Sequence, residues 1–242
     1  MIRDSMAEPS FLPWAIRVSR RARRLSVRVF HSGRVEVVAP QRVSSRAIEH
    51  FVSRHRAWIE RKHLASLAQR PCESFPPEQI TLAASGERWT LELTSEPSKF
   101  QVVTAGNILR ICAHEGPQEI CRLLRRWVVK RAQVFLSQEL SACAASIGAQ
   151  YRRATIRCQR TRWGSCSRSG TISLNACAMF QRPDVMRYLL VHELAHLVHM
   201  NHSQRFWAYV ERFVPEYPAL DRELRDGWRH VPQWFDAGIA AL

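Results

Sequence analysis

The chain has 242 residues, of which 46% are hydrophobic, and it carries a formal net charge of +15 at pH 7. This length and apolar content predict a soluble globular protein with a real core, and no apolar run reaches the length of a membrane span. The first 24 residues lack the apolar stretch of a signal peptide, and the seven cysteines form no C-x-x-C pair, which argues against a disulfide framework or a zinc ribbon and favours a reducing cytoplasm.

The first half of the chain is predicted to be rich in β-structure. Apolar and polar residues alternate on either side of Ser32-Gly33, a pattern that indicates a β-hairpin. A helix is predicted over residues 44–69, where apolar residues recur at helical spacing after a capping serine. Residues 78–113 read as short strands separated by turn residues. We therefore predict an N-terminal β-rich domain over residues 1–115 with the one helix 44–69.

The second half is predicted to be mainly helical. Gly116-Pro117 begins a helix with a broad apolar stripe, which we interpret as core. Two runs with strand character follow, “ATIRC” and “TISLNACAMF”, joined through “RWGSCSRSG”. A strand just before the next helix could hold an extended peptide by main-chain pairing, although “RWGSCS” is also compatible with a tight turn around a packed tryptophan. The predicted class is α+β, with residues 116–242 forming a compact, mainly helical domain with a small β element.

The stretch “LLVHELAHLVHMNHSQRFW” contains the strongest chemical signal in the sequence. On a helix, His192 and His196 stand one turn apart on the same face, so two imidazoles can reach one metal ion. Glu193 projects beside them and can take a proton from a zinc-bound water. This is the H-E-x-x-H arrangement of a zinc hydrolase, and the residues on both sides of it have helical character, as that arrangement requires. Residues 116–242 are therefore expected to form a zincin-like domain.

A catalytic zinc site needs a third protein ligand. His202 lies too far along to be presented by the same straight helix, so we expect the chain to turn near Asn201, with Ser203 capping the next helix. His199 is the alternative ligand, but it would approach from the same helix face at a poorer angle. His199 also stands where the metzincin pattern has glycine, which argues against that class.

Two stretches carry a family resemblance: “RTRWGSCSRSGTISLN” and “YLLVHELAHLVHMNHSQRFW”. They closely resemble the YgjP-like metal-dependent hydrolases, which are related to SprT-like zinc metallopeptidases, and the front half of the chain is also similar to that family. The resemblance implies that His192, His196 and His202 are the zinc ligands and that Glu193 is the general base. The C-terminal zinc ribbon of some SprT-like relatives has no counterpart here, which weakens any transfer of their DNA-linked role.

Two hypotheses about function follow. The favoured one is a zinc-dependent metallopeptidase that hydrolyses peptide bonds in a peptide or protein substrate through a zinc-bound water activated by Glu193. The alternative is a basic nucleic-acid-associated protein with a structural zinc site, or a protease recruited to nucleic acid. The net charge attracts polyanions, and Arg20, Arg21, Arg23 and Arg24 are the first group to test. No nucleic-acid-binding motif accompanies that charge, so a solvated basic surface explains it equally well.

A separate possibility is that Cys166 acts as a nucleophile. The sequence places no histidine in a pattern that would pair it with this cysteine.

Overall fold

The computed structural model of the chain has an α+β fold, as predicted. Its contacts divide the chain into two compact units, Met1–Pro71 and Cys72–Leu242. The structure describes residues 12, 14–30, 32–68, 74–95, 100–103, 105–112 and 116–236. Outside these ranges lie the predicted boundary near residue 115, the first eleven residues and Cys72.

The first unit contains a three-stranded sheet of β1 (Trp14–Val18), β2 (Ser26–Val29) and β3 (Val35–Ala39) in the order β1-β3-β2. The strands β2 and β3 are antiparallel, so the predicted hairpin is confirmed. Gly33 lies in its turn at a φ of +79°, a left-handed conformation that glycine adopts without steric cost.

Two helices follow in the first unit, α1 (Ser45–Arg54) and α2 (Arg56–Ala68), so the prediction of one helix over 44–69 was wrong in this respect. The break falls at His55, whose Nδ1 contacts the Phe51 carbonyl oxygen at 2.8 Å and whose backbone N–H donates to the Val52 carbonyl. Ser44 is the N-cap, as expected, with its hydroxyl accepting from the backbone N–H of Ala47.

The second unit begins with β4 (Gln79–Leu82), β5 (Glu87–Thr94), β6 (Phe100–Val103) and β7 (Ile108–Cys112), in the order β4-β5-β7-β6. Buried side chains of this sheet, among them Leu82, Trp89 and Leu109, share one core with the helix that follows. The contacts therefore group residues 79–112 with the helical part of the chain, whereas the sequence analysis placed them in the N-terminal domain.

The central element of the second unit is the long helix α3 (Pro117–Ile147), which buries Leu124, Val128, Leu136 and Leu140 along one face. A second sheet follows, made of β8 (Arg153–Arg157), β9 (Gly164–Cys166) and β10 (Thr171–Asn175) in the order β8-β10-β9. The strand predicted over “TISLNACAMF” is only half a strand, because residues Ala176–Phe180 form a 3-10 helix.

Four helices complete the described part of this unit: α4 (Pro183–Ala195), α5 (Gln204–Phe213), α6 (Tyr217–Asp226) and the short α7 (Gln233–Asp236). The helix α4 packs against α3, α5, α6 and the strand β9, so it lies at the centre of the unit. None of the helices in the described part combines the length and apolar character that crossing a membrane requires.

Candidate active site

The helix α4 carries His192 and Glu193 in its last turn and ends at Ala195, with His196 at the C-cap position. The chain therefore turns earlier than expected, and Asn201 does not adopt the left-handed conformation predicted for it, since Asn107 is the one non-glycine residue with positive φ among those described. Ser203 occupies the N-cap of α5, as predicted, but its side chain makes no capping hydrogen bond.

The structure brings three of the predicted site residues together. One ligand atom from each of His192, His196 and His202 lies within 4.8 Å of the other two. The Nε2 atoms of His192 and His202 are 3.1 Å apart. Two nitrogens bound to one tetrahedral zinc ion lie about 3.3 Å apart, given Zn–N bonds of about 2.0–2.1 Å. The spacing of these imidazoles therefore fits a metal ion.

The second ring nitrogen of two of these histidines has a protein partner. Nδ1 of His196 lies 3.1 Å from the His199 carbonyl oxygen, which can only accept, so this nitrogen carries the proton. Nδ1 of His192 lies 3.2 Å from the Tyr188 hydroxyl, which itself donates to Asp221 Oδ1 at 2.8 Å. In both rings the lone pair is left on Nε2, the atom available to a metal.

Aromatic packing holds the three imidazoles in place. The Phe206 ring is fully buried and lies 4.6 to 5.0 Å, centroid to centroid, from all three. Trp207 stacks on His202 at 5.6 Å and on Tyr217 at 5.2 Å. Phe206 and Trp207 of α5 therefore hold the imidazoles in position but supply no metal-ligating atom. His199 points elsewhere, with its ring 6.1 Å from that of Tyr209.

Burial also sets the charge of these groups. It lowers the pKa of His192 to about 4, with smaller contributions from the neighbouring charges of His196 and His202. Burial lowers the pKa of His196 as well. Both imidazoles are consequently neutral at pH 7, which is the form that binds a metal. A set of three histidine nitrogens is one of the donor sets of catalytic zinc sites.

Glu193 lies beside the histidines and is only 4% exposed. Burial raises the pKa of its carboxyl to about 8, against the lowering effect of Arg162. Its Oε2 atom is buried without a hydrogen-bond partner among the described residues. Burying a polar oxygen without a hydrogen-bond partner lowers the stability of the fold, so such an atom calls for an explanation. An unpaired carboxyl next to three converging imidazoles suggests a reactive group.

The strand β9 approaches Glu193 from the other side. A Cβ atom at Gly164 would lie 2.7 Å from Glu193 Cδ and 2.8 Å from Cγ, closer than real carbon atoms pack. Only glycine leaves room for the buried carboxyl here. The ring of the preceding Trp163 packs on that of Trp228, with centroids 4.4 Å apart. This stretch therefore contains both the predicted strand and the packed tryptophan that was considered as its alternative.

One edge of β9 is free. Trp163 and Ser167 exchange backbone hydrogen bonds with the β10 side, and Ser165 stands opposite Ser173 between them. Because bonding alternates along an antiparallel strand, the N–H and C=O groups of Gly164 and Cys166 point away from β10. Among the described strands β9 has no neighbour on that side. An unpaired strand edge therefore lies next to Glu193.

A buried side chain fixes the loop that leads into this edge. The amide of Asn175 donates from Nδ2 to the carbonyl oxygens of Gln159 and Arg162, each at 2.7 Å. Its Oδ1 accepts from the backbone N–H of Cys177, in the first turn of the 3-10 helix. On β9 itself, burial raises the pKa of the Cys166 thiol to about 11, helped by Glu193, so this cysteine is not a thiolate nucleophile at neutral pH.

The comparisons with known proteins agree with this geometry. The model of the YgjP-like metallopeptidase domain matches residues 23–227, which is most of the chain. The chain belongs to the YgjP-like family. As a YgjP-like protein it is assigned to the metallopeptidases, peptide-bond hydrolases that act with a metal ion. The search of curated proteins found no match.

Among solved structures, the YgjP-like chain is similar to the metallopeptidase zymogen of Pyrococcus abyssi abylysin. The two are 29% identical over 37% of this chain and 91% of that one, with a TM-score of 0.34.

Several residues that build the site in this YgjP-like chain were not anticipated from its sequence. Tyr188 could have been found, because it stands one helical turn before His192 on the same face. Asp221 gives no signal, since it lies 33 positions from Tyr188 on another helix. Gly164 stands in the “WGSC” stretch that carried the resemblance, but its contact with Glu193 is visible only in the fold.

Proposed function

We propose that this protein is a zinc-dependent peptidase in which His192, His196 and His202 hold the ion and Glu193 is the general base. The observation that carries the proposal is the convergence of three imidazoles beside a buried carboxylate oxygen that lacks a partner. Membership of the YgjP-like metallopeptidases supports it independently.

Zinc is the metal that this donor set suits best. Three nitrogen ligands with an open fourth position are typical of catalytic zinc, whereas a structural site fills all four positions with protein. In the described part of the chain the cluster contains three such residues. When bound, zinc lowers the pKa of a water ligand to about 7 and stabilises negative charge on a carbonyl oxygen.

The protein's own groups would manage the proton and the substrate. Glu193 would accept the proton of the attacking water and return it to the amine that leaves. The free edge of β9 pairs with an extended substrate through the backbone groups of Gly164 and Cys166. This pairing would bring the scissile bond next to Glu193.

The test separates metal binding from chemistry. Glu193→Gln keeps the shape of the side chain but removes the base, so we expect full metal content and a loss of hydrolysis of about 10²–10⁴-fold. Metal content is measured by elemental analysis and turnover with a quenched-fluorescence peptide library. Glu211→Gln, an exposed position on α5, is the matched control and should behave as the wild type. Unchanged turnover in metal-loaded Glu193→Gln would exclude this mechanism.

The nucleic-acid alternative predicts a different result. A structural zinc site has no need of a general base, so Glu193→Gln would then leave every measurable activity unaltered. The unpaired Oε2 atom favours the peptidase, because burying a carboxyl without a partner serves no purpose in a purely structural site.

A further inference from the structure

A stretch of one-sided positive charge lies next to the proposed active site. Between Glu139 and Asp184 the sequence contains seven arginines and no acidic residue. Six of them belong to the sheet β8-β10-β9 or to its loops, and all six are exposed: Arg152, Arg153, Arg157, Arg160, Arg162 and Arg168. The local charge is therefore far more one-sided than in the chain as a whole.

These six arginines form no ion pair with any of the described residues. No carboxylate lies within ion-pair distance of any of them in the part of the chain that the structure describes, whereas Arg182 pairs with both Asp184 and Glu223. Elsewhere in this unit, Arg131 pairs with Glu87 and Arg225 with Asp221. The sheet thus presents positive charge that the protein does not neutralise, a feature that attracts anionic ligands.

Three of the arginines flank the free edge of β9. Arg160 and Arg162 lie in the loop before the strand, and Arg168 lies in the turn after it. Arg162 and Arg168 each lie two residues from the nearer end of β9, a separation of at most about 7 Å, since extended chain rises about 3.3 Å per residue. Their side chains are long enough to meet a peptide of about six residues paired along that edge. We refer to Arg160, Arg162 and Arg168 as the arginine rim.

The rim is coupled to the reacting group. The charge of Arg162 acts on the Glu193 carboxyl and opposes the effect of burial on its pKa. Asn175 holds the backbone carbonyls of Gln159 and Arg162, so the loop carrying two rim residues has a fixed course. An anionic ligand at the rim would therefore lie beside Glu193.

We propose that the arginine rim selects acidic peptide segments as substrates, with carboxylates of the bound peptide pairing with Arg160, Arg162 and Arg168. This inference deepens the proposed function and rests on it, because the peptide is held on the strand edge next to the base. It goes beyond the family assignment, which names no sequence preference.

A peptide fits the rim better than a nucleic acid does. The strand edge offers N–H and C=O groups in alternation, which an extended polypeptide backbone matches and a sugar-phosphate backbone does not. Recognition of single-stranded nucleic acid relies on aromatic side chains that stack on bases. Trp163, the aromatic residue nearest in sequence to the rim, already packs against Trp228.

Binding is tested in the non-hydrolysing Glu193→Gln protein. Two fluorescent twelve-residue peptides are compared by anisotropy, one with alternating Glu and Asp and one with Gln and Asn at those positions. We expect the acidic peptide to bind about tenfold more tightly at low salt, the product of three modest exposed ion pairs. The preference should vanish at 1 M salt, where the screening length falls to about 3 Å.

The rim variant Arg160→Gln, Arg162→Gln, Arg168→Gln should bind both peptides equally. Its control is Arg88→Gln, Arg126→Gln, Lys130→Gln, which removes the same charge from exposed positions on β5 and α3 and should keep the preference. Lysine at the three rim positions should restore it. Equal binding of the two peptides to the parent protein, or equal loss in the rim and control variants, would overturn the inference. Rim-dependent binding of a single-stranded oligonucleotide without any peptide preference would overturn it as well.

Cleavage by the wild type distinguishes this inference from the proposed function. We expect kcat/KM to be about tenfold higher for the acidic peptide, with the difference lost in the rim variant. If both peptides are hydrolysed equally, the selectivity is wrong and the peptidase function stands. If the acidic peptide binds through the rim but neither peptide is hydrolysed, the peptidase function is wrong and the rim remains a binding surface for acidic peptides.

Discussion

The two walls of the proposed active site are built in different ways. The helical wall, made of α4, α5 and α6, holds each ligand by several contacts: His192 alone touches Tyr188, Phe206 and Trp207. The strand wall is β9, which approaches Glu193 through one glycine and leaves its outer edge unpaired. One wall is packed and the other is open.

This difference separates two tasks. The packed wall fixes imidazole nitrogens to within the tolerance that a metal site needs, because neighbouring rings and hydrogen bonds limit their rotation. The open wall keeps backbone groups and arginine side chains free for a substrate. Substitutions on the helical wall should therefore change metal binding, and those on the strand wall should change turnover or selectivity.

The largest effect is expected at the ligands. His202→Ala removes one of three nitrogens and should abolish stoichiometric zinc binding, whereas His199→Ala should leave it intact, because the His199 backbone carbonyl that receives the His196 N–H is retained. Elemental analysis after dialysis measures both. Zinc retained by His202→Ala and lost by His199→Ala would reverse the assignment of the third ligand.

Gly164→Ala should give the next largest effect. The added methyl group would overlap the Glu193 side chain, which must then shift, so we expect kcat to fall about 10²-fold through misplacement of the base while zinc content is unchanged. The structure offers a matched control in Gly116→Ala, where a Cβ would meet nothing within 4 Å. If zinc were lost together with activity in Gly164→Ala, the two walls would not be separable.

A smaller effect is expected from Tyr188→Phe. It removes the oxygen that accepts the His192 N–H, so the zinc dissociation constant should rise about 10–100-fold, the usual range for the loss of a partner behind a ligand. Competition with a chromophoric chelator measures it. Tyr209→Phe on α5 is the control. An affinity equal to that of the wild type would mean that Phe206 and Trp207 suffice to hold His192.

The smallest effect is expected in the first unit. Replacing Arg20, Arg21, Arg23 and Arg24 by Gln should change zinc content and peptide turnover by less than about twofold, because exposed charges distant in the chain are screened within about 8 Å at physiological salt. Gel-shift titrations of the same variant test the nucleic-acid alternative. Oligonucleotide binding by the wild type whose salt dependence is flattened in the variant would give this cluster a function of its own.

The sequence was most informative where function depends on local spacing. The four-residue interval of His192 and His196 follows from helix geometry, and a turn before His202 was expected, but that turn begins earlier than predicted and lacks the predicted capping contacts. The hydrogen bond from Tyr188 to Asp221 and the approach of Gly164 to Glu193 join residues about thirty positions apart. Such contacts depend on how helices and strands pack, which no local pattern encodes. For the same reason the sequence analysis grouped residues 79–112 with the N-terminal part of the chain, whereas their contacts are with the helical part.

The amide of Asn175 has a consequence for the thermodynamics of binding. Its Nδ2 and Oδ1 atoms make three hydrogen bonds, two to the loop before β9 and one to the 3-10 helix, and the side chain is completely buried. The loop with Arg160 and Arg162 is thus ordered before any ligand arrives, so association does not have to restrict its backbone, which otherwise opposes binding by about 1–2 kcal/mol per residue. A single uncharged side chain can in this way influence the affinity of the arginine rim by fixing the backbone that carries two of its residues.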